Sequence, residues 1–305
     1  MGSPKVGKSM WLCNLCANSI RNGEDCIYIT LEMAYQLVAQ RIGANLFNIP
    51  IDNYEAAAKD PNFMTEKMKE YYNNSFITPG KFFIEEFPTS SATVYDIESF
   101  ILKLEEELST ETKPFKFKNI FIDYVNIMKD AKNPNSENTY IKIKSICEDI
   151  RAMAQRNNWC VISLTQTNRS AYDSSDISMS NVSESGGLIA TVDSLFGIIQ
   201  SSTMRMENIY YLKAVAIRNS GHMGDKKRYD FVQKYLRITE DTTEGILTEN
   251  ISLSGSNKQS NNFTNNMGNK LQVKTYNTDN NLSTSIMPQL GISEAQISGQ
   301  DLFKI

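Results

Sequence analysis

Eight residues near the start of the chain have the types and spacing of a phosphate-binding loop. They match the P-loop pattern Gly-x-x-x-x-Gly-Lys-Ser/Thr at every fixed position. Its glycines let backbone N–H groups approach phosphate oxygens, its lysine supplies positive charge to the β- and γ-phosphates, and its hydroxyl is a ligand for Mg²⁺. The sequence therefore predicts that a nucleoside triphosphate, with Mg²⁺, binds at Gly2, Ser3, Pro4, Lys5, Val6, Gly7, Lys8 and Ser9.

Polar residues end three apolar runs that read as buried parallel strands. Glu32 follows residues 26–31 and could polarise the water that attacks the γ-phosphate. Asp123 follows residues 120–122 and could hold the water shell of Mg²⁺ opposite Ser9. Gln166 follows residues 160–165 and could sense the γ-phosphate. The ends of parallel strands meet at one edge of a sheet, so we expect these side chains beside the P-loop.

Strand and helix patterns alternate along the chain, which is typical of a doubly wound α/β domain. We expect Ser90 or Ser91 to cap the third helix, and the last two strands to be antiparallel. The predicted helices are residues 9–21, 34–47, 91–108 and 140–157, and residues 50–80 form a polar, partly helical excursion. The predicted strands are residues 26–31, 81–86, 119–123, 160–166, 193–200, 209–217 and 229–238, with a long polar loop at 167–187.

Composition places a domain boundary near residue 250. Residues 255–285 are rich in Asn, Ser, Thr, Lys and Gln, and such a tract buries too little apolar surface to fold. We therefore predict a folded domain over residues 1–250 and a disordered C-terminal tail over residues 251–305. The net charge of −4 gives no overall basic field, although it permits a local basic groove for nucleic acid.

Cysteine usage and hydropathy predict a cytoplasmic protein without a membrane span. The number of cysteines is odd, at five, and each lies in an apolar pattern, which favours buried small side chains in a reducing compartment. The Cys13-x-x-Cys16 spacing has no second pair or nearby His that would indicate a metal site. No signal peptide and no apolar run of membrane-spanning length is present in the sequence.

Five segments of the chain are informative together. They are GSPKVGKSM (residues 2–10), YITLEM (28–33), IFIDYVNIM (120–128), ISLTQTNRS (162–170) and SESGGL (183–188). In this order they resemble the C-terminal ATPase domain of the DnaB-type replicative helicases, in the branch of the T-even tailed phages. The resemblance covers roughly residues 2–238 and implies a RecA-like P-loop NTPase fold, with a mostly parallel twisted sheet flanked by helices. It also implies that Glu32 is the catalytic base, Asp123 the carboxylate on the Mg²⁺ side and Gln166 the γ-phosphate sensor.

The resemblance further implies a DNA-binding loop and a site shared between subunits. Members bind the backbone of single-stranded DNA through main-chain amides of a loop that matches residues 183–186, including Ser183, Glu184 and Gly186. Ser183 stands where a basic residue is usual, and Arg169 could compensate.

Arg218 matches the arginine finger that completes the ATP site of the neighbouring subunit. Ala216 replaces a usual lysine, for which Lys213 could substitute. An arginine supplied in trans implies a head-to-tail ring, and the family ring is a homo-hexamer.

The function implied is an ATP-dependent helicase that moves on single-stranded DNA and unwinds duplex 5′→3′ at the replication fork, in the cytoplasm of a bacterial host. A primase and a helicase loader are the implied partners, and the tail tip, residues 300–303, weakly suggests docking on a sliding clamp. A P-loop normally follows a strand, and one residue precedes it here, so we expect an N-terminally truncated domain that lacks this strand.

Two alternatives stay open at this point. One is a RecA-like regulatory or strand-exchange ATPase, against which the Leu31-Glu32-Met33 run and residues 166–170 speak. The other is an inactive split-gene fragment that acts as an interaction module, which the missing strand and Ala216 favour.

Overall fold

Helices and strands alternate through most of the computed structural model, which describes residues 1–172, 174–182, 186–218, 221 and 223–240. The predicted tail over residues 251–305 and its boundary lie outside the described residues. Within them, no helix is both long and apolar enough to cross a bilayer. The helices are α1 (Lys8–Arg21), α2 (Tyr35–Phe47), α3 (Ile51–Ala58), α4 (Pro61–Asn73), α5 (Val94–Leu108), α6 (Thr139–Asn157), α7 (Gly186–Thr191) and α8 (Ser202–Met206). The strands are β1 (Cys26–Thr30), β2 (Phe82–Glu86), β3 (Asn119–Asp123), β4 (Cys160–Ser163), β5 (Ser194–Ile199), β6 (Ile209–Ile217), β7 (Lys226–Val232) and β8 (Arg237–Glu240).

The first four strands form a parallel sheet in the order β2-β1-β3-β4. Every residue of the two central strands, β1 and β3, is buried, because helices cover both faces of the sheet. On one face, α5 packs on β1 and β3 in a core around Ile97 and Ile120. On the other, α1 and α2 pack around Leu12 and Tyr28. The predicted α/β class is confirmed, and parallel strand ends gather at one edge.

The last four strands form a second, antiparallel sheet in the order β5-β6-β7-β8. The prediction of one strand over residues 229–238 is wrong, since this stretch spans the end of β7, a short 3₁₀ turn at Gln233–Tyr235 and the start of β8. Leu236 has a positive φ of 48°, which reverses the chain and folds β8 back onto β7. The antiparallel half of the fold is therefore one strand larger than predicted.

Met1 and Gly2 join the two sheets. Gly2 forms parallel bridges to Gln166 beyond β4 and to Ile198 in β5. Its N–H donates to the Thr165 carbonyl at 3.2 Å, and the Ile198 N–H donates to the Met1 carbonyl at 2.8 Å. A Cβ at Gly2 would lie 2.7 Å from the Val6 side chain, so glycine alone fits this slot. The residues directly before the P-loop thus pair with β5 on one side and with the segment after β4 on the other.

Two local predictions are corrected by the structure, and a third is confirmed. The N-cap of α5 is Thr93 instead of Ser90 or Ser91, because Thr93 forms a reciprocal capping box with Asp96. The excursion over residues 50–80 is partly helical as predicted, since it contains the two helices α3 and α4. Cys160 is exposed at the start of β4, whereas the other four cysteines are buried as predicted.

In a polypeptide that starts at Met1, the amine of this residue is expected to make stability depend on pH. It is buried and donates to the Phe196 carbonyl at 2.5 Å, and burial, followed by the charge of Lys8, lowers the pKa of the Met1 amine from 8.0 to about 5. Between these values the unfolded chain binds more protons than the folded chain, so stability rises with pH from about 5 to 8, on the order of a few kcal/mol. Urea unfolding at pH 5.5, 7 and 8 measures this slope.

A chain with a short Gly-Ser extension before Met1 is the control for this slope. The extension converts the amine into an amide that does not titrate, while every other group of the protein is retained. A smaller rise in stability with pH in the extended chain is the expected difference. Equal slopes in the two chains would show that other groups set the pH dependence.

Candidate active site

The P-loop turns sharply into α1. Gly7 has a φ of 85° and precedes the first residue of the helix, Lys8. A Cβ at Gly7 would lie 2.8 Å from the Tyr210 hydroxyl, so both the backbone conformation and the space require glycine. The first N–H groups of a helix have no partner within the helix, and here they face the loop as a ready anion site.

The charged groups predicted from the sequence come together around Lys8. Its ammonium donates to the Ser3 carbonyl at 3.0 Å within the loop. Burial lowers the pKa of Lys8, while the carboxylates of Glu32 and Asp123 oppose this and raise it. The ammonium therefore lies within electrostatic reach of both predicted carboxylates, at the carboxyl edge of the parallel sheet.

Asp123 ends β3 with its side chain almost fully buried, at 1% exposure. Its Oδ2 accepts a hydrogen bond from the Tyr28 hydroxyl at 2.9 Å, whereas Oδ1 is buried without a partner. Burial raises the pKa of Asp123, and the nearby hydroxyls of Ser9 and Tyr28 and the charges of Arg41 and Lys8 oppose that rise. A carboxylate oxygen without a partner beside a serine hydroxyl fits the hard oxygen ligands that Mg²⁺ prefers.

Glu32 lies two residues beyond the end of β1 and is exposed. The turn that carries it is closed by Thr30, whose hydroxyl donates to the Met33 carbonyl at 2.6 Å. The Leu31 N–H donates to the Asp123 carbonyl at 2.8 Å, which ties the two carboxylate-bearing strand ends together. An exposed carboxylate at this position can meet water, as a general base for hydrolysis must.

Gln166 lies beyond β4 at the same edge. Its Nε2 donates to the Tyr124 hydroxyl at 3.0 Å. The backbone on either side of it pairs with Gly2, since the Thr167 N–H donates to the Gly2 carbonyl at 3.2 Å. The charge of Glu32 also contributes to raising the pKa of Tyr124, after the larger effect of burial. Tyr124 therefore stands between the predicted sensor and the predicted base.

Sequence reasoning missed three residues of this edge. Tyr28 and Tyr124 bond to predicted site residues, and the Arg205 guanidinium of α8 donates to the Lys5 carbonyl of the P-loop at 3.2 Å. A tyrosine in a buried strand needs a partner for its hydroxyl, which is the signal that could have found Tyr28. The contact of Arg205 joins residues 200 positions apart and leaves no local pattern.

Comparison with known proteins decides the family. A family model described as the DnaB-like helicase C terminal domain matches residues 1–238. The chain belongs to this family.

Curated relatives agree with this DnaB-like assignment. The DnaB-like replicative helicase of Enterobacteria phage T4 is 30% identical over 258 residues, which are 82% of this chain and 52% of the relative. The replicative DNA helicase DnaB of Helicobacter pylori is 21% identical over 250 residues, which are 78% of this chain and 45% of the relative. This DnaB-like chain therefore spans about half the length of the curated relatives it matches.

Solved structures share the fold. One described as a DnaB-like replicative helicase and its interactions with primase aligns with a TM-score of 0.62 at 20% identity, over 78% of this chain and 57% of that chain. A second, described as an ATPase domain, aligns with a TM-score of 0.63 at 20% identity, over 79% of this chain and 82% of that chain. These alignments support the RecA-like architecture of the DnaB-like domain.

In this DnaB-like domain, Arg218 and the P-loop lie near opposite ends of strand β5. The end of β6 pairs with the start of β5, Ile217 with Ser194, whereas Gly2 pairs with Ile198 near the end of β5. Four residues of strand separate these positions by about 13 Å. The Arg218 guanidinium donates to the Ala190 carbonyl at 2.5 Å. Arg218 therefore does not join the P-loop site of its own chain, and its action on another copy stays a prediction.

Ala216 precedes Arg218 in the structure at the end of β6, and Lys213 lies further back in the same strand. The Lys213 ammonium forms an ion pair with Asp176 at 2.7 Å. This pair attaches the lysine to the polar loop after β4. A replacement of the usual lysine by Lys213 stays a prediction.

Two of the four predicted DNA-binding residues of the DnaB-like domain, Arg169 and Gly186, lie within the described part of the chain. Arg169 begins a 3₁₀ turn at Arg169–Ala171, and Gly186 is the first residue of α7. Ser183 and Glu184 lie outside the described residues. The Ser3 hydroxyl of the P-loop donates to the Ala171 carbonyl at 3.1 Å, so the turn that begins at Arg169 touches the P-loop directly.

Proposed function

We propose that this chain is the ATP-hydrolysing motor domain of a replicative helicase, which moves along single-stranded DNA and unwinds duplex 5′→3′ at the replication fork. The observation that carries the proposal is the meeting of the P-loop with Glu32, Asp123 and Gln166 at one sheet edge. Membership of the DnaB-like family and the replicative helicase of phage T4 support it. The same relative supports a place of action in the cytoplasm of a bacterial host.

Each residue at this edge has a defined role in the proposed reaction. Lys8 and the N–H groups of the P-loop hold the β- and γ-phosphates, with Gly2, Ser3, Pro4, Lys5, Val6 and Gly7 as the backbone of the loop. Glu32 accepts a proton from the attacking water, so that hydroxide character develops on the oxygen that bonds to the γ-phosphorus. Gln166 donates its amide to the γ-phosphate and, through Tyr124, reports its presence to the neighbouring turn.

Ser9 and Asp123 are the residues that would hold Mg²⁺. When bound, Mg²⁺ supplies neutralisation of charge on the phosphate oxygens. Asp123 fits this role because its Oδ1 is buried without a hydrogen-bond partner. The Ser9 hydroxyl adds a second hard oxygen from the first turn of α1.

The proposed assembly is a homo-hexameric ring. An arginine that lies far from its own P-loop can act only on a neighbouring copy, and a head-to-tail contact that closes makes a ring. Arg218 would then stabilise the charge of the transferring phosphoryl group in the next subunit. Primase and a helicase loader are the further proposed partners, and docking of the tail tip on a sliding clamp is a separate hypothesis.

The proposed contact with single-stranded DNA is made by the loop before α7. Backbone amides near Ser183, Glu184 and Gly186, with Arg169 as the basic residue, would bind phosphates without reading bases. Such binding weakens as salt concentration rises, because it releases counterions from the DNA. The contact of Ser3 with Ala171 supports coupling between this loop and the P-loop.

ATP turnover with and without single-stranded DNA tests the proposal. We expect DNA to raise the turnover rate, and a fork with a 5′ single-stranded tail to be unwound. A duplex with only a 3′ tail is the matched control and is expected to stay paired. A folded chain that hydrolyses no ATP under either condition would contradict the motor function and favour the interaction module.

A further inference from the structure

Tyr28 lies in the middle of β1, beside strand β3, which carries Asp123. Its side chain is fully buried, at 0% exposure, and its ring lies against Phe121 of β3 with the centroids 6.4 Å apart. Its hydroxyl donates to Asp123 Oδ2 at 2.9 Å, and the Cys13 thiol lies 3.9 Å from the same hydroxyl oxygen. Packing in the core between the sheet and helices α1 and α2 therefore holds this hydroxyl against Asp123.

The hydrogen bond from Tyr28 gives the two oxygens of the Asp123 carboxylate different surroundings. A carboxylate at the end of a short side chain rotates easily about its last torsion, so either oxygen could face the phosphates. Tyr28 occupies Oδ2, and Oδ1 is buried without a hydrogen-bond partner. The arrangement leaves one defined oxygen for the water shell of a divalent cation.

We propose that Tyr28 is a positioning residue for Mg²⁺, because its hydroxyl holds Oδ2 of Asp123 so that Oδ1 faces the metal and its waters. The inference rests on the proposed function of the P-loop site. Groups that hydrogen-bond to a metal-binding side chain fix its orientation, and their loss costs about 10-fold to 100-fold in metal affinity or activity. A phenylalanine at position 28 would fill the same space without orienting the carboxylate.

The binding of a fluorescent ADP, measured in Mg²⁺ and again in EDTA, tests this role without catalysis. For Tyr28→Phe we expect the same affinity as wild type in EDTA and an affinity about tenfold or more weaker in Mg²⁺. Tyr28→Met, which also lacks the hydroxyl, is expected to give the same result. Tyr54→Phe removes a buried hydroxyl in α3 and is the matched control, expected to bind as wild type in both buffers.

Three outcomes would overturn the role of Tyr28. One is equal binding of wild type and Tyr28→Phe in Mg²⁺, and another is an equal loss of affinity in both buffers together with lower stability to urea. The third is a double-mutant cycle in which the Tyr28→Phe effect persists in an Asp123→Asn background, where the proposal requires it to vanish. If Mg²⁺ does not strengthen ADP binding to the wild-type chain, the proposed site itself fails, which is a distinguishable result.

Discussion

Lys8→Ala is expected to lower ATP turnover by about 100-fold or more, the size of loss seen when a preorganised charge-stabilising group is removed. The Lys8 ammonium is the positive charge held inside the loop, 3.0 Å from the Ser3 carbonyl and within reach of two carboxylates. Without it, negative charge that develops on the phosphate oxygens loses its partner. Steady-state phosphate release at saturating ATP and Mg²⁺ measures the change.

Lys103→Ala is the matched control for this result. This substitution also removes one ammonium group, but from the exposed side of α5. There the Lys103 ammonium lies 3.8 Å from the Glu107 carboxylate in a surface ion pair. Surface pairs of this kind contribute little to stability, so turnover equal to wild type is expected. A Lys8→Ala protein that is folded and turns over ATP as fast as Lys103→Ala would contradict the assigned P-loop.

Arg218→Ala is expected to reduce turnover by about 10²-fold to 10³-fold while it leaves nucleotide binding to the same chain intact, because the proposed role of the arginine is at the neighbouring site. Its distance along β5 and β6 from its own P-loop is the structural reason. Arg156→Ala, which breaks an exposed pair with Glu98 at 2.6 Å, is the control and is expected to keep full turnover.

Mixing the two inactive variants separates action in trans from action in cis. A subunit with Arg218→Ala retains Lys8, and a Lys8→Ala neighbour supplies Arg218, so that their interface contains one complete site. With equal amounts of the two variants mixed at random in a closed ring, about a quarter of the interfaces contain a complete site. Turnover should then return to about a quarter of the wild-type rate. If co-purification of tagged subunits shows mixed rings but no turnover returns, the arginine does not act between subunits.

The sequence predicts the parts of this fold that depend on local patterns. The P-loop motif, the buried runs of β1 and β3 and the polar residues after them are all legible within a few positions, and the structure brings Lys8, Glu32 and Asp123 together. The cap of α5 was missed although its signal was local. Thr93 and Asp96 stand three apart as a capping box requires, whereas Ser90 and Ser91 have no acidic partner at that spacing.

The remaining features depend on which distant residues become neighbours. The bond between Tyr28 and Asp123 spans 95 positions and follows from the register of β1 against β3, which no pattern in either strand specifies. The hairpin of β7 and β8 depends on the positive φ of Leu236, a backbone conformation that leucine rarely adopts and that its residue type therefore does not predict. Register and turn conformation are therefore where inference from the sequence stops.

Hydrogen bonds from both halves of the fold end on Met1 and Gly2, so these residues link the parallel sheet to the antiparallel sheet. Hydrogen exchange in native proteins reports the free energy that each part of a structure needs to open. We expect a nucleotide at the proposed site, on the loop that begins at Gly2, to stabilise this link and so to raise the free energy of opening of both sheets. Hydrogen exchange would then slow on nucleotide binding even in strands that do not contact the nucleotide.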